Sequence, residues 1–385
     1  MKNNIFFISH SSELNGAELM LLQTLQKINR RRFKPLLLVP CSGPLKDEAE
    51  KINLETEIIP MKWWLSERSK IWRQPLSWLW NIKSIFEISK MIEEKNISLV
   101  FSNSSVAFSG ALAARIKRIP HIWAIHEILK GKKPLVFFFI GNQQLVKLIH
   151  GLSTRIIVNS RATQKSFQES EKVRMIYNGL EVNDLESFSK EALRQEFGLE
   201  EEDTVLGVVG KICKEKGQRE VVLALVSLLQ KYPHLKLLLV GAVKDNRYYS
   251  KLQKIIKEYK LEELVVFTGY RRDILRLLTL MDLLVVASEA ESFGRSVIEA
   301  MAAGTPVLAV KSGGIEEIIT PGKDGFLVES REPRVIKEAL EAILDNPSKR
   351  DEVSREGILT VTEKFSLGKQ VEKIEKVINE CLKES

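Results

Sequence analysis

LLVVASEAESFGRSVIEAMAAGTPVLAV, residues Leu283–Val310, reads as strand, loop, helix, strand. Leu283–Ala287 and Pro306–Val310 are short continuous apolar runs, the mark of strands buried on both faces. The helix between them closes at Gly304, and Pro306 two residues on is a stop signal. Such a unit implies parallel strands joined by a crossover helix. Two carboxylates, Glu291 and Glu299, stand eight positions apart across the helix start. A plain surface helix needs neither.

Outward from this unit the same rhythm continues. The second half offers strands at Val205–Val209, Leu235–Val240 and Leu264–Thr268, with helices between them and further helices over 332–346 and Gly368–Leu382. The first half offers Asn4–Ser9, Leu36–Pro40, Glu55–Ile59, Ser98–Ser102, His121–His126, Arg155–Asn159 and Val173–Tyr177. A turn-rich polar stretch, YNGLEVNDLES, opens on Asn178-Gly179 and reads as a linker. At 385 residues the chain suits two domains. The expected architecture is α/β: two Rossmann-like doubly wound domains facing across a cleft, residues 1–180 and 181–365, with ligands outside the carboxyl ends of the strands.

Composition narrows the class. The 44% hydrophobic and 28% charged content is that of a globular protein, and no apolar run reaches the length of a membrane span. The first residues turn polar after a short apolar run, unlike a signal peptide. Three widely spaced cysteines, Cys41, Cys213 and Cys381, fit a reducing compartment, so a cytoplasmic location is expected. Residues 1–180 carry a net charge of +13 and residues 181–385 carry −5. A basic front half suits an anionic partner, and the alternative is a solvated face without one.

Candidate chemistry sits at the strand ends. Ser292, Phe293 and Gly294 precede the helix of the opening stretch, where backbone N–H groups favour an anion such as a diphosphate. Glu291 is placed to accept from sugar hydroxyls, and Glu299 from a ribose diol, because carboxylates only accept and a vicinal diol donates twice. The alternative is a helix-start acid and a surface acid. Glu299, flanked by apolar residues, needs a partner. Earlier, VLGVVGKICKEKGQREVV places Lys211 at a strand end and Lys216 before Gly217, two ammonium groups on one corner. This is not a Walker loop. SGGIEEI, with Gly313 and Gly314, gives a third Gly-led helix start. In the front half Gly16 of ELNGAEL follows the first strand, and His126 ends HIWAIH beside Glu127. A histidine there faces the ligand side of such a sheet, or is a satisfied structural group.

These stretches resemble the signature of glycosyltransferase family 4. ESFGRSVIEAMAAGTPV carries its Glu-x7-Glu spacing, GKICKEKG resembles its Gly-Arg-x-x-x-x-Lys-Gly element with Lys211 in place of arginine, NGAE resembles its first Gly-rich loop, and YNGLE its Asn-Gly turn. The resemblance implies the GT-B fold, a nucleotide-sugar donor (UDP-, GDP- or ADP-linked) and transfer with retention at the anomeric carbon. It implies a last helix, 366–385, that packs back toward the N-terminal, acceptor-binding domain. It also implies donor binding by Gly16, Lys211, Lys216, Glu291, Ser292, Phe293, Gly294 and Glu299, with Glu291, His126 and Lys216 as catalytic residues. No cofactor and no metal are expected, for no Asp-x-Asp occurs.

Five tryptophans, Trp63, Trp64, Trp72, Trp78 and Trp80, interleave with Lys62, Arg68, Lys70 and Arg73, and Lys130, Lys132 and Lys133 precede Phe137–Phe139. Such stretches lie in a membrane interface, line an acceptor pocket, or form an aromatic core under solvated lysines. The first reading implies peripheral contact with the inner membrane face and a glycan or lipid-linked acceptor, in surface polysaccharide or glycolipid synthesis. Single-strand nucleic-acid binding is the rival from another class, but no recognised module for it is present. An epimerase or a phosphorylase of the same fold is the rival within the class.

Overall fold

Asn3–Ser9 (NNIFFIS) forms the first strand, β1, in the computed structural model, which describes residues 2–65, 74–129, 141–167, 170–181 and 190–384. Its side chains alternate between two buried layers. Ile5 and Phe7 enter one apolar cluster, while Phe6 and Ile8 enter another on the opposite face. Both faces are covered, so the run is continuously apolar instead of alternating.

Two units result. The first comprises Met1–Gly179 and Leu367–Ser385, the second Leu180–Ser366. The first unit contains β1, β2 (Phe33–Val39), β3 (Glu55–Ile58), β4 (Ile97–Asn103), β5 (His121–Ile125), β6 (Arg155–Val158) and β7 (Val173–Met175). They form one sheet in the order β3-β2-β1-β4-β5-β6-β7, and all its pairings are parallel. Its helices are α1 (Gly16–Lys27), α2 (Pro44–Lys51), α3 (Gln74–Glu94), α4 (Phe108–Lys117), α5 (Asn142–Leu152) and α6 (Arg161–Gln164). The second unit adds α7 (Lys190–Glu196), β8 (Thr204–Val209), α8 (Gln218–Val226), β9 (Leu235–Val240), α9 (Asn246–Glu258), β10 (Val265–Gly269) and α10 (Ile274–Leu280). It continues with β11 (Leu283–Val286), α11 (Arg295–Ala302), β12 (Val307–Val310), α12 (Ile315–Ile318), β13 (Phe326–Val328), α13 (Pro333–Leu344) and α14 (Pro347–Lys364). Its sheet runs β10-β9-β8-β11-β12-β13, again parallel.

Both sheets reverse their strand order once, between β1 and β4 in the first unit and between β8 and β11 in the second. At such a switch point the adjacent crossovers run to opposite faces and open a crevice beyond the carboxyl ends. Each candidate strand meets a strand of the structure, with ends that differ by up to three residues. Beyond β12, two elements escape sequence reading. One is β13, three half-buried residues. The other is α14, whose buried residues Val353, Gly357, Thr360 and Val361 make no apolar stripe.

The last helix, α15 (Leu367–Lys383), belongs to the first unit. It buries Ile374, Val377, Ile378 and Cys381 in the cluster that holds Ile5 and Phe7. Glu375 accepts from the Asn29 N–H at 2.8 Å, and Glu380 and Glu384 face Arg155. The stretch singled out around Arg68, Lys70, Trp72 and Arg73, that around Lys130, Lys132, Lys133 and Phe137–Phe139, and most of the linker lie outside the described residues. No helix among the described residues is long and apolar enough to cross a membrane.

Candidate functional site

In the second unit the candidate residues gather at the switch point. Lys211 and Lys216 follow β8, Glu291 follows β11, and the adjacency of these two strands brings them together. The Lys216 ammonium is ion-paired with Glu291 Oε1 across 75 positions of sequence. A backbone bond from Glu289 N–H to Glu215 C=O, 2.8 Å, joins the same two loops.

Gly217 makes this approach possible. Its φ of +74° lies in the left-handed region, and a Cβ there would stand 2.2 Å from Ala287 O. Only glycine lets the turn before α8 lie against the end of β11. Lys211 is exposed, and among the described residues no carboxylate pairs with it. Its C=O accepts from buried Gln218 Nε2 at 3.0 Å, which fixes the loop while leaving the ammonium outward.

Glu299 is only 9% exposed. The partner its apolar setting requires is Arg295, one turn earlier, whose Nε donates to Glu299 Oε1 at 2.6 Å. This residue escaped the sequence reading, although the i, i+4 spacing was visible. The helix also starts later than the sequence suggests. Gly294, with φ +107°, is the N-cap, so the first-turn N–H groups belong to Arg295, Ser296 and Val297. Ser292 and Phe293 form the turn before it, and the Phe293 ring is buried against Phe365 at 5.8 Å, edge to face. Gly314 abuts this turn, where a Cβ would lie 2.6 Å from Ser292 O, and its N–H donates to Glu291 C=O at 2.9 Å. Thus the loops after β8, β11 and β12 are tied into one cradle before α11, with Lys216 paired to Glu291 there and Glu299 held by Arg295 in the helix that follows.

A second cluster lies at the switch point of the first unit. Gly16 is the first residue of α1. Asn103, at the end of β4, donates from Nδ2 to Ala17 C=O at 3.1 Å, so its Oδ1 accepts from His126 Nε2 at 2.7 Å. This hydrogen bond places the His126 proton on Nε2 and leaves Nδ1 as the acceptor of the neutral ring. Burial is the main cause that lowers the His126 pKa from its ordinary value; Glu127 opposes that shift and His10 adds to it. Glu127 is not a ligand-facing acid here. It accepts from Ser104 Oγ and from the Ser105 N–H, holding Ser104 at φ +98°, a strained conformation. Asn103 carried no sequence signal, because an asparagine at a strand end is ordinary.

His121, the first residue of β5, is the satisfied structural histidine. It is buried, with Nε2 2.9 Å from Ser102 Oγ and Nδ1 3.2 Å from Leu152 O, and burial pushes its pKa down to about 3. Among the described residues no group of three or more His, Cys, Asp or Glu has the arrangement of a metal site.

Sequence and structure comparisons give the family and the fold. The family profile described as Glycosyltransferase Family 4 matches residues 14–184, and that described as Glycosyl transferases group 1 matches residues 189–359. Together they span both units, and the chain belongs to the group 1, family 4-type glycosyltransferases. Among its relatives is the N-acetyl-alpha-D-glucosaminyl L-malate synthase of Bacillus anthracis, 28% identical over 71% of this chain and 70% of that protein. Another is the capsular polysaccharide biosynthesis glycosyltransferase CapM of Staphylococcus aureus, 24% identical over 79% of this chain and 82% of that protein. The crystal structure of Anabaena HepE in complex with UDP-glucose superposes with a TM-score of 0.82 at 25% identity, over 98% of this chain and 99% of that one. The fold is thus α/β with two Rossmann-like domains of the GT-B type, and the chain is a glycosyltransferase. That membership displaces the epimerase, phosphorylase and nucleic-acid readings.

Proposed function

We propose that the chain transfers a sugar, with retention at the anomeric carbon, from a nucleotide-sugar donor bound by the second unit to a glycan or lipid-linked acceptor bound by the first. The observation that carries this is the cradle at the β8–β11 switch point. There Lys216 is paired with Glu291, Lys211 follows the same strand, and Glu291 precedes the helix that carries Glu299. As the bond between the anomeric carbon and the diphosphate oxygen breaks, negative charge grows on the leaving diphosphate. Fixed ammonium groups and helix-end amides stabilise that charge more in the transition state than in the ground state, without a metal ion. The acceptor hydroxyl bonds to the anomeric carbon, and its proton leaves with the departing diphosphate.

Glu299 holds the donor ribose and Arg295 holds Glu299. Glu291 binds sugar hydroxyls and keeps Lys216 in place until the diphosphate competes for it. In the first unit His126, with Nε2 tied to Asn103, and Gly16, the first residue of α1, are the residues assigned to the sugar and to the phosphates. The UDP-glucose complex of HepE supports a UDP-linked donor over GDP- or ADP-linked ones, and the role of CapM supports surface-polysaccharide synthesis.

A thermal-shift panel of UDP-, GDP- and ADP-sugars tests the donor. A ligand that binds only the folded state raises Tm, and a rise with UDP-sugars alone is expected. A flat response to every nucleotide sugar would remove the proposal.

Peripheral contact of a cytoplasmic enzyme with the inner membrane face is a further part of the reading. Leu79, Trp80, Ile82 and Phe86 are exposed on α3 in the basic half of the chain, with Lys83 exposed among them. Apolar and basic side chains on one helix face suit an anionic bilayer surface. Cosedimentation with anionic vesicles is expected at low salt and reduced at high salt. Protein that stays in the supernatant at low salt would refute the contact.

A further inference from the structure

The segment that follows β1 carries a polar group whose needs the described residues leave unmet. Glu18, in the first turn of α1, is 1% exposed. Its one partner among the described residues is His10 Nε2, at 3.2 Å, and neither carboxylate oxygen receives a hydrogen bond. His10 Nδ1 is likewise buried without a partner. A buried carboxylate short of donors is costly, and the positive end of α1 offsets only part of that cost.

Trp63 lies directly beside this pair. Its indole N–H donates to His10 C=O at 3.1 Å, and the two rings stand 5.6 Å apart at 49°. Held in this way, the ring is nevertheless 51% exposed. Its neighbour Trp64 shows what an indole does when it serves the core: it is fully buried and stacked on Phe108 at 4.3 Å. Trp63 is therefore fixed in orientation by its polar edge while its apolar face stays open. A pinned, open aromatic face beside the partly exposed His10 imidazole matches a ligand that is apolar on one face and rich in hydroxyls at its edge.

Resting on the glycosyl-transfer reading above, we infer that Trp63, His10 and Glu18 form an acceptor subsite for a pyranose ring. The C–H face of the ring packs on the indole, and a ring hydroxyl engages the His10 imidazole. Glu18 is a positioning residue that acts through His10 Nε2.

Saturation-transfer NMR on the full chain, with a panel of methyl glycosides of glucose, galactose, mannose and N-acetylglucosamine, tests this. At least one glycoside is expected to bind the wild type, with transfer concentrated on the C–H protons of one ring face. Trp63→Ala is expected to weaken that binding about tenfold, and Trp63→Phe to retain most of it. Glu18→Gln is expected to weaken it less than Trp63→Ala and to change which glycoside binds best. The Tm rise with UDP-glucose stays as in the wild type for all three variants, which also shows that they fold. Equal binding by wild type and Trp63→Ala, or no transfer to any glycoside in the wild type, overturns the subsite. Absence of a UDP-sugar effect with glycoside binding intact overturns the donor reading instead.

Discussion

Lys216 and Glu291 neutralise each other before any donor arrives. A pair so placed holds the ammonium in position at little entropic cost and releases it when a stronger anion binds. Because the pair is partly exposed, it contributes about 1 kcal/mol or less to folding. Lys216→Ala is therefore expected to lower kcat by about a hundredfold at saturating donor while shifting Tm only slightly. Steady-state kinetics together with a melting curve separate the two effects, and unchanged kcat would count against the role. For Glu299, replacement by Gln keeps the shape but gives the ribose diol and Arg295 a neutral partner. Calorimetry with UDP is expected to show affinity about tenfold weaker. Equal affinity would remove the ribose assignment and leave Glu299 as the ion-pair partner of Arg295.

Each element contributes to a site through what its ends permit. The turn into α8 depends on Gly217, so Gly217→Ala meets both a left-handed φ and Ala287 O at 2.2 Å. Destabilisation beyond about 1 kcal/mol is expected, with loss of donor binding as Lys216 moves away from Glu291. Urea unfolding measures the first, and the thermal shift with UDP-sugars the second. In β5 the buried neutral His121 makes stability depend on pH. Its folded pKa of about 3 lies below the ordinary 6.5, so the unfolded chain binds a proton that the folded chain refuses. The contribution is full above pH 6.5 and is lost as pH falls toward 3, by about 1.4 kcal/mol per unit. His126 and His150, also lowered, act in the same direction. Unfolding free energies between pH 7 and 5 are expected to fall less steeply for His121→Gln than for the wild type, and identical slopes would contradict the assignment.

At the scale of the whole molecule the chain passes between the two units twice, at Gly179–Leu180 and at Ser366–Leu367. The first unit is thus completed by the last residues of the chain. Deleting 367–385 uncovers the layer of Ile5, Phe7, Leu37 and Phe101. Hydrogen exchange is expected to show loss of protection in β1–β7 with β8–β13 still protected, and protected β1 amides would show that α15 is dispensable.

Much of this was legible in the residues themselves. Period and turn chemistry mark the strands, because a strand buried on both faces must be apolar throughout. The spacing of Glu291 and Glu299, and the two lysines before Gly217, mark the cradle of the second unit. Helix α14 was hidden because it packs on α11 through Gly357 and Ser354, where close backbone approach replaces an apolar stripe. Asn103 and the His10–Glu18 pair were hidden because ordinary polar residues gain meaning only from what surrounds them. By itself, then, the sequence determined the alternation of strands and helices, the strand ends that carry charge, and the family. Tertiary structure alone decided which charges meet. The adjacency of β8 and β11, and of β1 and β4, follows from strand order, which no local period encodes; it joins Lys216 to Glu291 and Asn103 to Ala17 of α1.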